Sequence, residues 1–350
     1  MGCFVTEIPT LQRRYPWIDA FIKPSDIDAV VELAKHQAAA HPMDEISANP
    51  KFKIHPLKGI SVNPKSVGVP ISYGCDHACT YCVVRLRRGP EVSRPVDEIV
   101  AEVRDLVAGG VKEVTLLGQN VDSYAFGLAD LLEAVHQVEG LERIRFLTSH
   151  PAEMSDRLIG TAARLPKVCE HVEIPVQSGD DAVLRRMGRG YTVASYRDLV
   201  ARIRAAMPDA GLATDVIVGF PGETEAQFEA TYRLLEELRF DVVHVAAYSP
   251  RPGTPAERLT DDVLPEEKER RRKAVDQLQE RIAGEINARL LGQPVEILVE
   301  TRRQGKWQGR TRTNKLVFFP VGVENWTGRL VQVRITWTGP WSMQAEVVQP

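Results

Sequence analysis

The stretch YGCDHACTYC, residues 73–82, decides how this chain is read. It holds three of the five cysteines, Cys75, Cys79 and Cys82, in a C-x-x-x-C-x-x-C pattern. A structural zinc closes a tetrahedron of four ligands. His77 is the one nearby candidate for a fourth, but zinc ligands usually arrive as two separated cysteine pairs, and no second pair follows. A cubane 4Fe-4S cluster normally takes four thiolates. Three would leave one iron open to a small molecule, and the missing ligand would then be the place of reaction. Cys169 reads as a small buried apolar residue. An odd, clustered set of cysteines is no disulfide framework and points to a reducing compartment, the cytoplasm.

Outward from this loop the pattern is regular. Short apolar runs at 67–73, 112–117, 143–148, 171–176, 212–218 and 241–247 read as strands. Amphipathic helices are expected at 95–107, 128–138, 155–165, 180–187, 193–207 and 224–238. Strands alternating with helices mean an α/β fold with a parallel sheet and helices outside. Six such units suggest a partial (βα)6 barrel, open at the side; a doubly wound sheet has the same alternation. A long helix at 265–291 carries the charge run EEKERRRKAVDQLQERI, expected to be a solvated face. After Gly292 the runs PVEILVE, KLVFFP and LVQVRIT, split by Gly and Asn, read as a small all-β barrel. Ahead of the core, a short helix is expected at 25–39, then a proline-rich connector.

Polar, glycine-rich sequences fall at the carboxyl end of each expected strand: LGQN, TSHP, PVQSG, GFPGE and YSPRPGT besides the cysteine loop. Parallel βα proteins build their sites there. Any one of these loops is explained as a turn; six around one cysteine cluster are a composite site.

At this point the sequence resembles a family. Cys75, Cys79, Tyr81 and Cys82 fill the C-x-x-x-C-x-aromatic-C positions that define radical S-adenosylmethionine enzymes. LLGQNVDSY, RIRFLTSHP, IPVQSGDDAVLRRMGRGYT, TDVIVGFPGETE and YSPRPGTPA look like the methylthiotransferases, nearly end to end. The closing domain, with GRTRTNKLVFF, looks like their TRAM module. TSHP and GRTRTNK lean toward the tRNA-2-methylthio-isopentenyladenosine synthase branch. Relatives acting on a threonylcarbamoyl adenosine or on a ribosomal protein share most of these motifs. The resemblance implies that Cys75, Cys79 and Cys82 ligate a 4Fe-4S cluster whose open iron chelates S-adenosylmethionine. One electron then yields methionine and a 5′-deoxyadenosyl radical, in a barrel that excludes water. It implies cofactor contacts from Tyr81, Gly118, Gln119, Asn120, Gln177, Gly219 and Glu223. The implied reaction is methylthiolation at carbon 2 of the isopentenylated adenosine beside the tRNA anticodon. The implied partners are tRNA, an electron donor such as flavodoxin or ferredoxin, and a sulfur donor system. The family often has a proline two residues past the last cysteine; Val84 stands here, and a local backbone change is expected.

Three regions follow: 1–60, a remnant of an α/β amino-terminal domain with connector; 61–288, the radical core; 289–350, the TRAM barrel. Relatives carry an auxiliary cluster on three further cysteines of an amino-terminal domain, and Cys3 matches the third. The expectation is a chain that enters this domain midway, poorly packed over 1–60. A catalytically incomplete RNA-binding protein is the competing expectation. MGCFVT also fits a myristoylation pattern on Gly2, with nothing else suggesting an anchor. No apolar run reaches the roughly 18 residues of a membrane helix, and no secretory signal opens the chain.

The charge is unevenly placed. The 350 residues carry a net −3, yet residues 288–350 hold nine Lys or Arg against four Asp or Glu. A basic module on an acidic chain is an RNA footprint. Arg302, Arg303, Lys306, Arg310, Arg312 and Lys315 are the expected phosphate contacts. Trp307, Trp326, Trp337 and Trp341 fall in the same module. At least half of them are expected in the barrel core, the rest as base-stacking surfaces.

Overall fold

The computed structural model describes residues 65–322 and 324–348. Cys3, the helix expected at 25–39 and the 1–60 remnant lie outside the described residues.

The six expected core strands are present: β1 (Ser66–Pro70), β4 (Glu113–Leu117), β5 (Arg143–Phe146), β6 (His171–Glu173), β7 (Gly211–Val218) and β8 (Val242–Ala247). Between β1 and β4 come β2 (Ser72–Tyr73) and β3 (Val92–Ser93), a small antiparallel ladder flanking the cysteine loop. β1, β4 and β5 pair in that order, all parallel, as do β6, β7 and β8. The two sheets meet through a parallel bridge between Ile144 and Val168 and through the Ser149 N–H, which donates to the Glu173 carbonyl at 3.2 Å. All six carboxyl ends therefore face one way.

Helices α1 (Val84–Arg88), α2 (Val96–Ala108), α3 (Leu128–His136), α4 (Asp156–Arg164), α5 (Asp181–Arg186), α6 (Val193–Ala206) and α7 (Glu225–Leu238) connect the strands. Local chemistry sets their starts. Thr192 and Thr224 close capping boxes with Ser195 and Gln227, and the Ser155 and Asp180 side chains accept from first-turn N–H groups. α1 follows the cysteines directly, starting at Val84.

The core packs strand residues such as Val114, Leu116, Ile144, Phe146 and Val216 against Ile99, Leu132, Leu199, Ile203 and Phe228 of the helices. On β5 the alternation is telling. Ile144 and Phe146 join this apolar core, so Arg143 and Arg145 project to the opposite, inner face, where both are also buried.

α8 (Pro265–Ala288) corrects the expectation of a solvated charge run at two positions. Lys268 and Arg271 are buried. Lys268 pairs with Asp261 at 2.6 Å and Arg271 with Glu223 at 2.8 Å.

The final module is a closed five-stranded barrel of β9 (Pro294–Arg303), β10 (Lys306–Thr311), β11 (Leu316–Pro320), β12 (Leu330–Thr338) and β13 (Met343–Val347), in the order β10–β11–β13–β12–β9. Ile297, Val299, Trp307, Val317, Phe319, Val333 and Met343 fill it. Trp307 is buried and Trp326 packs at its edge, while Trp337 and Trp341 are exposed.

This barrel docks on the amino ends of the core strands. Arg143 donates to the Arg310 carbonyl (2.8 Å) and pairs with Glu296 (2.8 Å). Arg145 donates to the carbonyls of Thr311 (2.7 Å) and Arg312 (2.8 Å) and pairs with Glu113 at 3.0 Å. Asn287 of α8 donates to the Gly339 carbonyl at 2.8 Å.

Candidate functional site

The cysteine loop leaves β2 through Gly74, at φ +81°, where a Cβ would stand 2.0 Å from the Pro90 carbonyl oxygen. Only glycine fits that step. The loop is then held from three sides. Cys75 N–H donates to the Gly89 carbonyl (3.2 Å), Thr80 N–H to that of Met187 (2.9 Å), and Thr80 Oγ1 to that of Arg186 (2.8 Å). The Thr80 carbonyl accepts from Ala256 N–H at 2.9 Å. Cys75, Cys79 and Cys82 are half-buried, and none is in a disulfide. Burial pushes the Cys75 thiol up, and Cys79 and Cys82 push it further by like charge, so the three thiols share one neighbourhood. Among the described residues no three His, Cys, Asp or Glu side chains converge as ligands of a single ion would. Thiolates that each take a separate iron of a cubane stand farther apart than that. Cys169 is buried at the other end of the strands, the structural place expected for it.

The strand-end loops surround the cysteines. Tyr81 packs against Phe220, Met187 and Tyr248, and burial pushes its phenol well above the usual range. Gly118 lies so close to β2 that a Cβ would meet Ser72 Oγ at 2.6 Å. Gln119 is half-buried beside it. Asn120 is buried; its Nδ2 donates to Glu153 and lies 3.2 Å from His77 Nε2. Gln177 is buried at φ +71°, and Thr148 after β5 stands at φ +69°. Two non-glycine residues in the left-handed region at the ends of neighbouring strands are strain placed where ligands bind. Gly219, at φ +69°, donates its N–H to Glu223 Oε2 at 2.5 Å, and Arg271 holds the same oxygen at 2.8 Å.

The structure gives His77, weighed above only as a zinc ligand, a different setting, and adds residues that were not singled out. His77, inside the cysteine loop, stacks on His150 with centroids 3.9 Å apart and pairs with Glu153 at 2.9 Å. Asp122 accepts from Ser149 Oγ (2.9 Å) and from His150 N–H (3.2 Å); desolvation carries its carboxyl up to about 7. His150 Nδ1 accepts from Ala152 N–H at 3.3 Å, so its proton sits on Nε2. Burial, then Arg189, hold its pKa at about 3, so the ring stays neutral. Arg189 donates to Cys79 Sγ at 3.3 Å. His77 lies in the cysteine stretch, and Asp122, Ser149, His150 and Arg189 lie inside strings already quoted, LLGQNVDSY, RIRFLTSHP and IPVQSGDDAVLRRMGRGYT, while Glu153 falls just past TSHP; spacing alone does not say which polar letter turns inward.

Some of the buried polar atoms without a protein partner lie at this end: Ser72 Oγ, Tyr73 Oη, His150 Nε2, Glu223 Oε1 and Tyr248 Oη. Orphaned donors and acceptors around three thiols fit a polar ligand above a metal cluster. A cavity of about 340 Å³, lined by Asp76, His77, Glu91, Ser123 and Glu153, borders the loop. A second, of about 370 Å³, is lined by His171, Glu173 and His244 of the core with Arg310 and Trp341 of the barrel.

The expected RNA contacts divide in two. Arg302, Arg303 and Lys306 are exposed around the tight turn Gln304–Gly305, where both residues have positive φ. Arg310, Arg312 and Lys315 are partly buried and engaged: Arg310 with the Asn314 carbonyl (3.1 Å), Arg312 with Glu170 (2.7 Å), Lys315 with Asp241. The last two tie the barrel to the core.

A cysteine triplet at the carboxyl ends of parallel strands, with a small barrel docked behind, defines the class. Residues 69–235 match the Radical SAM superfamily and residues 288–348 the TRAM domain. The chain is 54% identical over 343 residues to the tRNA-2-methylthio-N(6)-dimethylallyladenosine synthase of Roseiflexus sp. (strain RS-1), covering 95% of this chain and 70% of that one. It is 53% identical to that of Chloroflexus aurantiacus, covering 95% and 71%. Among solved structures, a radical S-adenosylmethionine methyltransferase from Kitasatospora setae aligns at TM-score 0.49 and 18% identity, over 55% of this chain and 39% of that one. The chain belongs to the tRNA-2-methylthio-N(6)-dimethylallyladenosine synthase family. Among the described residues no helix is long and apolar enough to cross a membrane.

Proposed function

We propose that this chain is a radical S-adenosylmethionine transferase that adds a methylthio group to carbon 2 of the isopentenylated adenosine beside the tRNA anticodon. The observation that carries the reading is the cysteine loop itself: three half-buried neighbouring thiols on a rigid turn, with orphaned polar atoms around them. Cys75, Cys79 and Cys82 would hold a 4Fe-4S cluster with one iron open. That cluster supplies the electron that cleaves the bound sulfonium.

The chain's own residues do the rest. Tyr81 walls the site with its ring. Gly118 and Gly219 keep backbone close to the ligand, and Gln119, Asn120 and Gln177 offer amides to it. Glu223 offers Oε1, its other oxygen being fixed by Arg271 and Gly219. Asp122 and Glu153 hold His150 and His77 in place. Six strands, read as an open-sided partial barrel within 61–288, keep water from the reacting centre. The TRAM module, 289–350, grips tRNA through Arg302, Arg303 and Lys306. A flavodoxin- or ferredoxin-type protein supplies the electron, a separate system supplies the sulfur, and the cytoplasm is the setting. Cys3 belongs to an auxiliary cluster in this reading.

The test is anaerobic reconstitution followed by iron and sulfide analysis, then incubation with S-adenosylmethionine, a one-electron reductant and isopentenylated tRNA. About four irons per chain on this triplet and 2-methylthio nucleoside in the digested tRNA are expected. S-adenosylmethionine cleavage that survives replacement of all three cysteines would overturn the reading.

A further inference from the structure

The cysteine loop runs straight into a short basic segment. α1 holds Arg85, Arg87 and Arg88, with Leu86 among them. Arg85 is exposed, Arg87 and Arg88 are half-buried, and Leu86 is 58% exposed although it is a large apolar residue. Leu86 reaches the loop after β8, where a Cβ on Gly253 would stand 3.2 Å from its Cδ1. At the end of α1 the Arg88 guanidinium lies over the Tyr73 ring, 5.2 Å from its centre. Tyr73 pairs with Val92 across the β2–β3 ladder, and Val92 is 55% exposed. Paired residues of a ladder share a face, so cation, ring and valine lie side by side.

The fold does not neutralise these cations. Arg270, Arg271, Arg272 and Arg281 of α8 each pair with Glu or Asp. Among the described residues Arg85, Arg87 and Arg88 have no carboxylate partner, and the Nε atoms of Arg87 and Arg88 are buried with no acceptor. The carboxylates of the flanking segments are turned elsewhere. Asp76 accepts from Glu91 N–H (3.2 Å), Glu91 from Ser93 and Ser123, and Glu257 from Gly253 N–H (2.7 Å).

Clustered, unpaired positive charge is complementary to an acidic surface. Exposed apolar side chains within it are what a protein partner covers and a phosphate backbone does not. Place narrows the partner further. α1 begins two residues past Cys82, and its five residues at 1.5 Å each span about 7.5 Å. A molecule docked on α1 is therefore held against the cysteine loop.

We infer that α1, with Val92 beside it, is the docking face for the one-electron donor, an acidic protein of the flavodoxin or ferredoxin type. The inference rests on the reading that Cys75, Cys79 and Cys82 hold a 4Fe-4S cluster. The donor is oxidised by one electron, the cluster is reduced by one, and no bond forms or breaks at the surface. Arg85 and Arg87 attract the donor, and Leu86 and Val92 give it an apolar contact. Electron-transfer encounters have small interfaces, which suits a face of this size.

The experiment is S-adenosylmethionine cleavage by the reconstituted full chain, read as 5′-deoxyadenosine formed, with two reductants compared. One is an acidic reduced flavodoxin at varied concentration. The other is reduced methyl viologen, a small cation that needs no basic face. In the double variant Arg85→Glu with Arg87→Glu, the flavodoxin concentration giving half-maximal rate rises about tenfold or more. The viologen-driven rate and the iron content stay at the wild-type level. Leu86→Ser raises the half-maximal concentration by a smaller factor. In the wild type the flavodoxin-driven rate falls with salt, and the double variant loses this dependence. An unchanged flavodoxin dependence overturns the inference. So does an equal loss with both reductants, which makes α1 a support of the cluster, and so does a loss confined to tRNA affinity, which makes the face an RNA contact. Where the double variant loads no iron, the wild type decides: a flavodoxin-driven rate no more sensitive to salt than the viologen-driven one overturns the inference. A wild-type chain that forms no 5′-deoxyadenosine with viologen overturns the underlying reading instead.

Discussion

The two ends of the core strands treat buried charge in opposite ways. At the amino ends, Arg143 and Arg145 enter the protein interior with carboxylates and barrel carbonyls waiting for them. At the carboxyl ends, Arg189 meets a thiol, a phenol and a carbonyl, and several hydroxyl and ring atoms have no protein partner. At the first end the buried guanidinium groups meet carboxylates of the polypeptide itself, although single atoms such as His171 Nδ1 and Asn287 Oδ1 lack a partner. The second is complete only with what it binds. Paired charge of the first kind fixes geometry, and unpaired polarity of the second kind is held ready for a ligand.

The largest expected effect separates the ends outright. Cys79→Ser should bring bound iron and S-adenosylmethionine cleavage to near background while the thermal midpoint of the cluster-free chain barely moves, measured by iron assay and calorimetry. A large drop in that midpoint would mean the cysteine end is structural too. Next, Arg145→Met leaves Glu113 buried without its partner and should cost about 3–5 kcal/mol in denaturant unfolding. A loss under about 1 kcal/mol would show the amino end to be less interlocked than its contacts imply.

A smaller effect depends on pH. His171, buried near Arg145, is held neutral, with its pKa lowered from 6.5 to about 3. The unfolded chain takes up a proton below pH 6.5 that the folded chain refuses. This contribution is present above pH 6.5 and is lost as pH falls toward 3, at about 1.4 kcal/mol per pH unit. His171→Leu should flatten the acid limb of stability against pH by that slope; an unchanged limb would mean other groups carry it. The smallest effect tests the barrel tip. Neutralising Arg302, Arg303 and Lys306 singly should weaken tRNA binding uniformly across sequences and reduce its salt slope by about one each. Arg312→Gln should instead loosen the docking. Deleting 289–350 is a poorer test, because it strips Arg143 and Arg145 of partners and disturbs the core as well.

Much of this was legible. The six strands stand out because their apolar runs are continuous, and the helices because their caps are Thr192, Thr224, Ser155 and Asp180. The cysteine loop is legible because ligand spacing is local. β10 and β13 were not, because KWQGRT and MQAEV carry too few apolar letters to show a period of two. Lys268 and Arg271 look like any solvated charge on a helix until Asp261, in the loop just before that helix, and Glu223, from the loop after β7, turn toward them. Arg312 and Lys315 look like phosphate contacts until Glu170 and Asp241 claim them. Burial of charge is decided by partners from other elements, and a single sequence does not display those pairings.

β5 also has a mechanical consequence. Its first residues, Arg143 and Arg145, anchor the TRAM barrel, and the segment just past its end carries Thr148 and His150 beside the cysteine loop. Four strand residues and a short turn through Thr148 are all the backbone that separates the anchor from that loop. A displacement of the barrel therefore pulls on the same short stretch of chain that carries His150.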